Sequence, residues 1–116
     1  LRKSLAVAFD GGDINYQYGG VYGATQGPRL ETAAEVLRLE RDGCGLVGMT
    51  GMPEAGLARE LEIAYCSVCL VVNWAAGKSD NLITMAEIEA VINSGMANVR
   101  SGLLSFLNSL DAVDTA

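Results

Sequence analysis

Histidine is absent from this chain, proline occurs twice, and aromatic residues make up only 6% of it. The lack of His removes the usual general base near neutral pH and the commonest nitrogen ligand for a metal. No serine of the chain has a His to activate it, which excludes a Ser-His-Asp site built from these residues alone. Basic residues are also scarce, with 8 Lys and Arg against 14 Asp and Glu for a formal net charge of −6. Phosphate backbones call for clustered Lys and Arg, so nucleic acid is not an expected partner. Long apolar runs are missing too. The longest nearly uncharged stretch, 64–77, is too short to span a bilayer and carries Asn73. No membrane partner is expected. The run Leu5 to Phe9 stops at Asp10-Gly11-Gly12-Asp13, short of the apolar region of a signal peptide.

Cysteine is limited to three residues, which cannot all pair within one chain, so a reducing cytoplasm is the expected compartment. Cys66 and Cys69 have metal-like spacing. They fall in a strand-like run, however, where positions three apart face opposite sides. With no second Cys pair and no His, they read as small buried hydrophobes, and no metal is expected.

What is present is half apolar, in 116 residues. That suits one domain at most, with one core, and rules out a disordered segment. Residues 1–9 read as the last turns of a helix closed by the Asp-Gly-Gly-Asp turn. Gly20 to Thr25 is strand-like. Thr32 to Asp42 is predicted helical, with Thr32 and Glu35 as a capping box, an apolar stripe through Ala33 and Leu37, and Gly43 as the stop. Leu46 to Thr50 is a short strand, and Pro53 suits the start of a helix through Glu62. Ile63 to Asn73 is a continuous apolar run at strand length, as expected of a strand covered on both faces.

Thr84 and Glu87 form a second capping box. Apolar residues from Ile88 to Leu110 then recur at three and four, which predicts a long helix. Gly95 and Gly102 interrupt it at about 1 kcal/mol each relative to Ala. Seven apart, they share one side, where a neighbouring backbone is expected to approach. The tail after Leu110 is expected to fray. This alternation of strands and helices predicts an α/β fold with a parallel or mixed sheet. Three strands flanked by helices leave edges that so short a chain can hardly cover. The chain also begins at Leu rather than Met, and it is expected to be part of a larger domain.

Two nucleotide motifs tempt and fail. Gly43-Cys44-Gly45-Leu46-Val47-Gly48 matches G-x-G-x-x-G, but with a helix before it and a strand after, the reverse of what a pyrophosphate site needs. Gly77-Lys78-Ser79 resembles the end of a P-loop, yet Val72 stands where the first glycine belongs. What remains are polar groups at strand C-termini, where open α/β sheets place their ligands. Thr25 to Leu30 with Glu31, Met49-Thr50, and Asn73 are these groups. Each also has an ordinary role, as first-turn acid, turn hydroxyl or strand terminator.

The stretch Thr25-Gln26-Gly27-Pro28-Arg29-Leu30-Glu31-Thr32-Ala33-Ala34-Glu35 resembles the trimeric purine nucleoside phosphorylase and methylthioadenosine phosphorylase family. Val47-Gly48-Met49-Thr50-Gly51-Met52-Pro53-Glu54 and Val71-Val72-Asn73 continue the likeness in order. Members are about twice as long. The resemblance therefore implies that residues 1–116 are the C-terminal portion of one phosphorylase domain, with a mixed central sheet flanked by helices. It also implies phosphorolysis of a purine nucleoside, with inorganic phosphate as co-substrate, no cofactor, and a homotrimer.

By the same resemblance Asn73 bonds N7 and O6 of the base through its amide and is the catalytic residue. Glu31 accepts the N1 hydrogen of a 6-oxopurine. Adenine-specific relatives carry Asp in place of Asn73 and a second acid two residues on, where this chain has Ala75. A hypoxanthine-type base is therefore expected. Leu30 packs against the base, Met49 lies under the ribose, and Thr50 bonds phosphate or a ribose hydroxyl. Relatives that hold a 5′-hydroxyl commonly do so with a His after the Asn73 position. Its absence, with Met85 and Ile88 as an apolar pocket, suits a methylthio group and makes S-methyl-5′-thioinosine the expected substrate. The alternatives are inosine or guanosine, methylthioadenosine, a hydrolase of the wider nucleosidase class, and a non-catalytic half that only joins a partner. Family phosphate ligands (a Gly/Thr loop, an Arg-His pair, a Thr-Ala pair) have no counterpart here, and the chain alone is expected to be inactive. Trp74 has no role by resemblance.

Overall fold

A computed structural model describes residues 1–111 of the chain. Four helices and two strands follow in the order α1 (Arg2–Gly11), β1 (Tyr22–Ala24), α2 (Ala33–Arg41), β2 (Leu46–Gly48), α3 (Glu54–Glu60) and α4 (Met85–Asp111). The expected fraying after Leu110 concerns a tail that, from residue 112 on, lies outside the described residues.

The helix starts are where local chemistry puts them. Before α2 the Thr32 hydroxyl accepts the Glu35 N–H at 3.3 Å, and Glu35 Oε2 accepts the Thr32 N–H at 2.8 Å, closing the predicted capping box. At α4, Thr84 Oγ1 accepts the Glu87 N–H at 3.3 Å and donates to Glu87 Oε2 at 2.8 Å. Pro53 sits one residue before α3. Past the end of α2, Gly43 takes φ +89°, a conformation L side chains rarely adopt. The chain then enters β2, so the G-x-G-x-x-G match is a helix exit leading into a strand. The apolar face of α2 is carried by Val36, which is buried, and Leu39, while Leu37 points outward.

β1 and β2 pair in parallel, with Tyr22 opposite Leu46, Gly23 opposite Val47 and Ala24 opposite Gly48. These are shorter than the predicted strands, and among the described residues they form the whole sheet, parallel rather than mixed. The α1 and α4 helices make the second layer, burying Leu5, Ala8, Phe9 and Phe106 together. Gly102 opens the face of α4 to Phe9, and Gly95 opens it to Leu70. The expected close approach at both glycines is real, but the visitors are side chains rather than a neighbouring backbone.

The predicted third strand does not form. Residues 63–73 run without ladder bonds, and Ile63, Tyr65, Val68 and Val71 are exposed. An apolar run becomes a strand only when neighbours supply hydrogen-bond partners on its flanks, and none of the described residues does so. Cys66 leans on the α1–α4 core, but Cys69 is exposed instead of buried. Between this run, β1, β2 and the two long helices lies an open groove of about 1220 Å³, with Phe9, Tyr22, Leu46 and Val99 on its walls. No described helix is long and apolar enough to cross a membrane.

Candidate functional site

The parallel register brings two of the predicted clusters side by side. β1 ends at Ala24 opposite Gly48, so Thr25 and Met49 leave neighbouring strands at the same edge. The Thr25 N–H donates to the Gly48 carbonyl at 2.9 Å, which extends the ladder one step past the strand. Gly27 is close-packed under Met49: a Cβ at that position would meet Sδ at 2.9 Å. Segments 25–31 and 48–50 therefore form one polar rim at the strand C-termini, as open α/β sheets arrange their ligand sites.

Glu31 is half-buried on this rim, and its Oε1 accepts a hydrogen bond from the Thr25 hydroxyl. Thr25, Glu31, Arg29 and Glu35 line a small pocket of about 230 Å³ against α2. Behind the loop, Arg29 forks onto Glu35 with bonds of 2.9 and 2.7 Å. The Arg29 guanidinium, with the Thr32 N–H and hydroxyl after it, holds the Glu35 carboxyl far below the usual carboxylate range. The same fork raises Arg29 further. This clasp ties the 29–32 turn to the first turn of α2 and so sets where Glu31 emerges. Leu30, between them, is exposed.

Thr50 is exposed, and its backbone N–H donates to Tyr22 Oη at 3.3 Å. The Tyr22 ring reaches there across Gly48 and Gly51. A Cβ on Gly51 would lie 2.8 Å from the ring, and one on Gly48 would collide with the phenol oxygen. Asn73 lies half-buried in a bend, its Nδ2 donating to the Trp74 carbonyl at 2.8 Å. The loop after it folds back on α2, with Gly77 against Ala33 and Lys78 Nζ bonded to Glu40 at 2.6 Å. Met85 and Ile88 occupy the first turn of α4, Met85 exposed and Ile88 half-buried, and neither lines the small pocket or the groove.

The structure thus unites Glu31, Met49 and Thr50 with their loops. It leaves Asn73, Met85 and Ile88 on separate segments. Sequence reasoning included Thr25 among the strand-end groups but missed its bond to Glu31, and it missed Tyr22 and the Arg29–Glu35 clasp. Gly48 and Gly51, flanking Met49-Thr50, were the available signal of a large side chain crossing close by.

Comparison with known proteins shows the family. The family model described as the phosphorylase superfamily matches residues 2–108. The chain belongs to that superfamily. It is 56% identical over 109 residues to a probable S-methyl-5′-thioinosine phosphorylase of Pseudomonas syringae pv. tomato, covering 94% of this chain and 44% of the relative. A 6-oxopurine nucleoside phosphorylase of Pyrococcus furiosus is 46% identical over 88 residues, 76% of this chain and 33% of its own length. Among solved structures, a Q289L mutant of adenosine/methylthioadenosine phosphorylase from Schistosoma mansoni, in complex with tubercidin, superposes with a TM-score of 0.85. That match covers 96% of this chain and 45% of the other at 24% identity, and it establishes the α/β fold of the superfamily for this chain. The phosphorylase-superfamily chain spans less than half the length of these relatives.

Proposed function

We propose that this chain is the base-recognising portion of a 6-oxopurine nucleoside phosphorylase, with S-methyl-5′-thioinosine as its substrate. Phosphate attacks C1′ of the nucleoside as the C1′–N9 bond breaks, giving hypoxanthine and 5-methylthioribose 1-phosphate. Positive charge develops on the ribose and negative charge on the leaving purine, and a good site meets both with fixed groups. The observation that carries this reading is the rim at the strand C-termini, where Glu31 and Thr50 stand on adjoining loops of a paired β1 and β2. The names of the similar proteins support it.

In this reading Glu31 accepts N1–H of the base. Adenine presents a lone pair at N1, which a carboxylate repels. A site built for a hydrogen bond can reject the partner lacking it by about 10⁴-fold. Asn73 stabilises the purine anion at N7 and O6. One of its amide hydrogens is engaged by Trp74, so the remaining N–H is the donor to the base. Thr50 bonds phosphate or a ribose hydroxyl, Met49 underlies the ribose, and Leu30 packs on the base. Met85 and Ile88 receive the methylthio group.

The remaining phosphate ligands come from the part of the domain that these residues do not include. The working protein is a cytoplasmic homotrimer that needs no cofactor. The test is an assay of the protein at the full length of its relatives, given methylthioinosine, inosine or methylthioadenosine with and without phosphate. Methylthioinosine is expected to be preferred, and turnover is expected to require phosphate. A preference for methylthioadenosine defeats the roles of Glu31 and Asn73, and phosphate-independent release of ribose makes the protein a hydrolase.

A further inference from the structure

Glu31 precedes α2 and is not held by the helix, so something else must fix its carboxylate if it is to read a base. Thr25 is placed to do this. Its hydroxyl faces two acceptors, Glu31 Oε1 and, at 3.3 Å, the Gly48 carbonyl. A hydroxyl has one hydrogen to give. The Gly48 carbonyl already takes the Thr25 N–H at 2.9 Å, and an ionised carboxylate is the stronger acceptor. The hydrogen therefore goes to Oε1. Oε2 accepts no hydrogen bond from any other described residue, and it is left for an incoming N–H.

Thr25 itself is anchored, half-buried, by its backbone bond to the end of β2. The rigid pairing of β1 with β2 is thus transmitted through one hydroxyl to the orientation of Glu31. Arg29 is turned away into its fork with Glu35, so it does not compete for the free oxygen.

We propose that Thr25 is a specificity-determining positioning residue: by binding Oε1 of Glu31 it presents Oε2 to the N1–H of a 6-oxopurine before substrate arrives. This rests on the reading of Glu31 given above. A pre-ordered acceptor lowers the ordering loss on binding and sharpens the contrast with a base that offers no hydrogen.

The experiment compares Thr25→Val, Thr25→Ser, Glu31→Gln and the double variant Thr25→Val/Glu31→Gln in the full-length protein. Steady-state kinetics are recorded with methylthioinosine and methylthioadenosine. Valine keeps the shape of threonine and removes the hydroxyl. Thr25→Val is expected to raise KM for methylthioinosine about tenfold, as for one lost charge-assisted bond, with kcat and the KM for phosphate within about twofold. The preference over methylthioadenosine should fall in proportion, and Thr25→Ser should restore it. In the Glu31→Gln background Thr25→Val should add little, because both act through one contact.

If Thr25→Val matches the parent while Glu31→Gln loses its preference, the positioning role is overturned and the base reading survives. Should Glu31→Gln keep the full preference, the base reading itself falls and takes this proposal with it. Parallel loss of kcat and both KM values, without rescue by serine, marks Thr25 as merely structural and overturns the proposal. Where Thr25→Val does not fold, the same KM comparison of Thr25→Ala with Thr25→Ser decides.

Discussion

The Phe9 ring occupies the space a side chain at position 102 would need: a Cβ on Gly102 would collide with Phe9 Cε2. Gly102 weakens α4 locally, yet it lets the buried aromatic ring of α1 seat against the helix. Gly102→Ala gains ~1 kcal/mol in helix propensity. It must also displace the ring, and overpacking of this kind costs about 1–3 kcal/mol. Thermal melting should show a net loss of stability. Gly11→Ala, with nothing within 4 Å of the new methyl, should be neutral or slightly stabilising. A raised melting temperature for Gly102→Ala would mean that Phe9 does not seat there.

The Arg29–Glu35 clasp has a pH signature. Its folded carboxyl is held far below the ordinary value, by Arg29 first and Thr32 second. A depressed carboxylate stabilises the fold above its unfolded pKa, near 4.3, and loses that contribution as pH falls further. The gap in melting temperature between the parent and Glu35→Gln should be full at pH 7 and narrow below about pH 4. A gap that is constant from pH 7 to 3 would show that the charge on Glu35 does not matter.

Tyr22 fixes the Thr50 backbone across two glycines. Tyr22→Phe removes the acceptor for the Thr50 N–H but keeps the ring. If Thr50 bonds phosphate rather than a ribose hydroxyl, KM for phosphate should rise severalfold while KM for the nucleoside stays near its original value. A rise confined to KM for the nucleoside would place Thr50 on the ribose instead.

Base choice should be exchangeable at two positions. Installing the acids that adenine-specific relatives carry, Asn73→Asp with Ala75→Asp, is expected to shift preference from methylthioinosine toward methylthioadenosine. Adding Glu31→Gln should increase the shift, since it removes the group that repels the adenine N1. Unchanged preference in the triple variant would count against all three assignments.

What could be read from the sequence follows the range of the forces involved. The capping box at Thr32 and Glu35, the stop at Gly43 and the periodic α4 depend on residues within a turn or two of each other, and the structure contains them. Ile63 to Asn73 was misread as a strand because its apolar composition is local, whereas the hydrogen-bond partners that would make it one are not. The inward face of α2 shows the same limit on a smaller scale: Val36 and Leu37 are both apolar neighbours, and only the packing of the helix in the fold decides which is buried. In the rim, Glu31 and Thr50 could be picked out by their place after strands and by family resemblance. The Thr25–Glu31 and Tyr22–Thr50 contacts could not, since each depends on how β1, β2 and their loops settle in space.

The unmatched flanks of β1 and β2 carry a practical consequence. Among the described residues each strand has one partner, so each presents an open row of N–H and C=O groups on its other side. Such rows accept any extended backbone, whatever its side chains. Beside them lies an apolar run, 63–73, that has no ladder bonds of its own and exposes Ile63, Tyr65, Val68 and Val71. Purified by itself at high concentration, the 116-residue chain should cross-pair into sheet-rich particles, visible as growing light scattering with a rising β signal in circular dichroism. Its shelf life is then governed by backbone valence rather than by the chemistry of the rim.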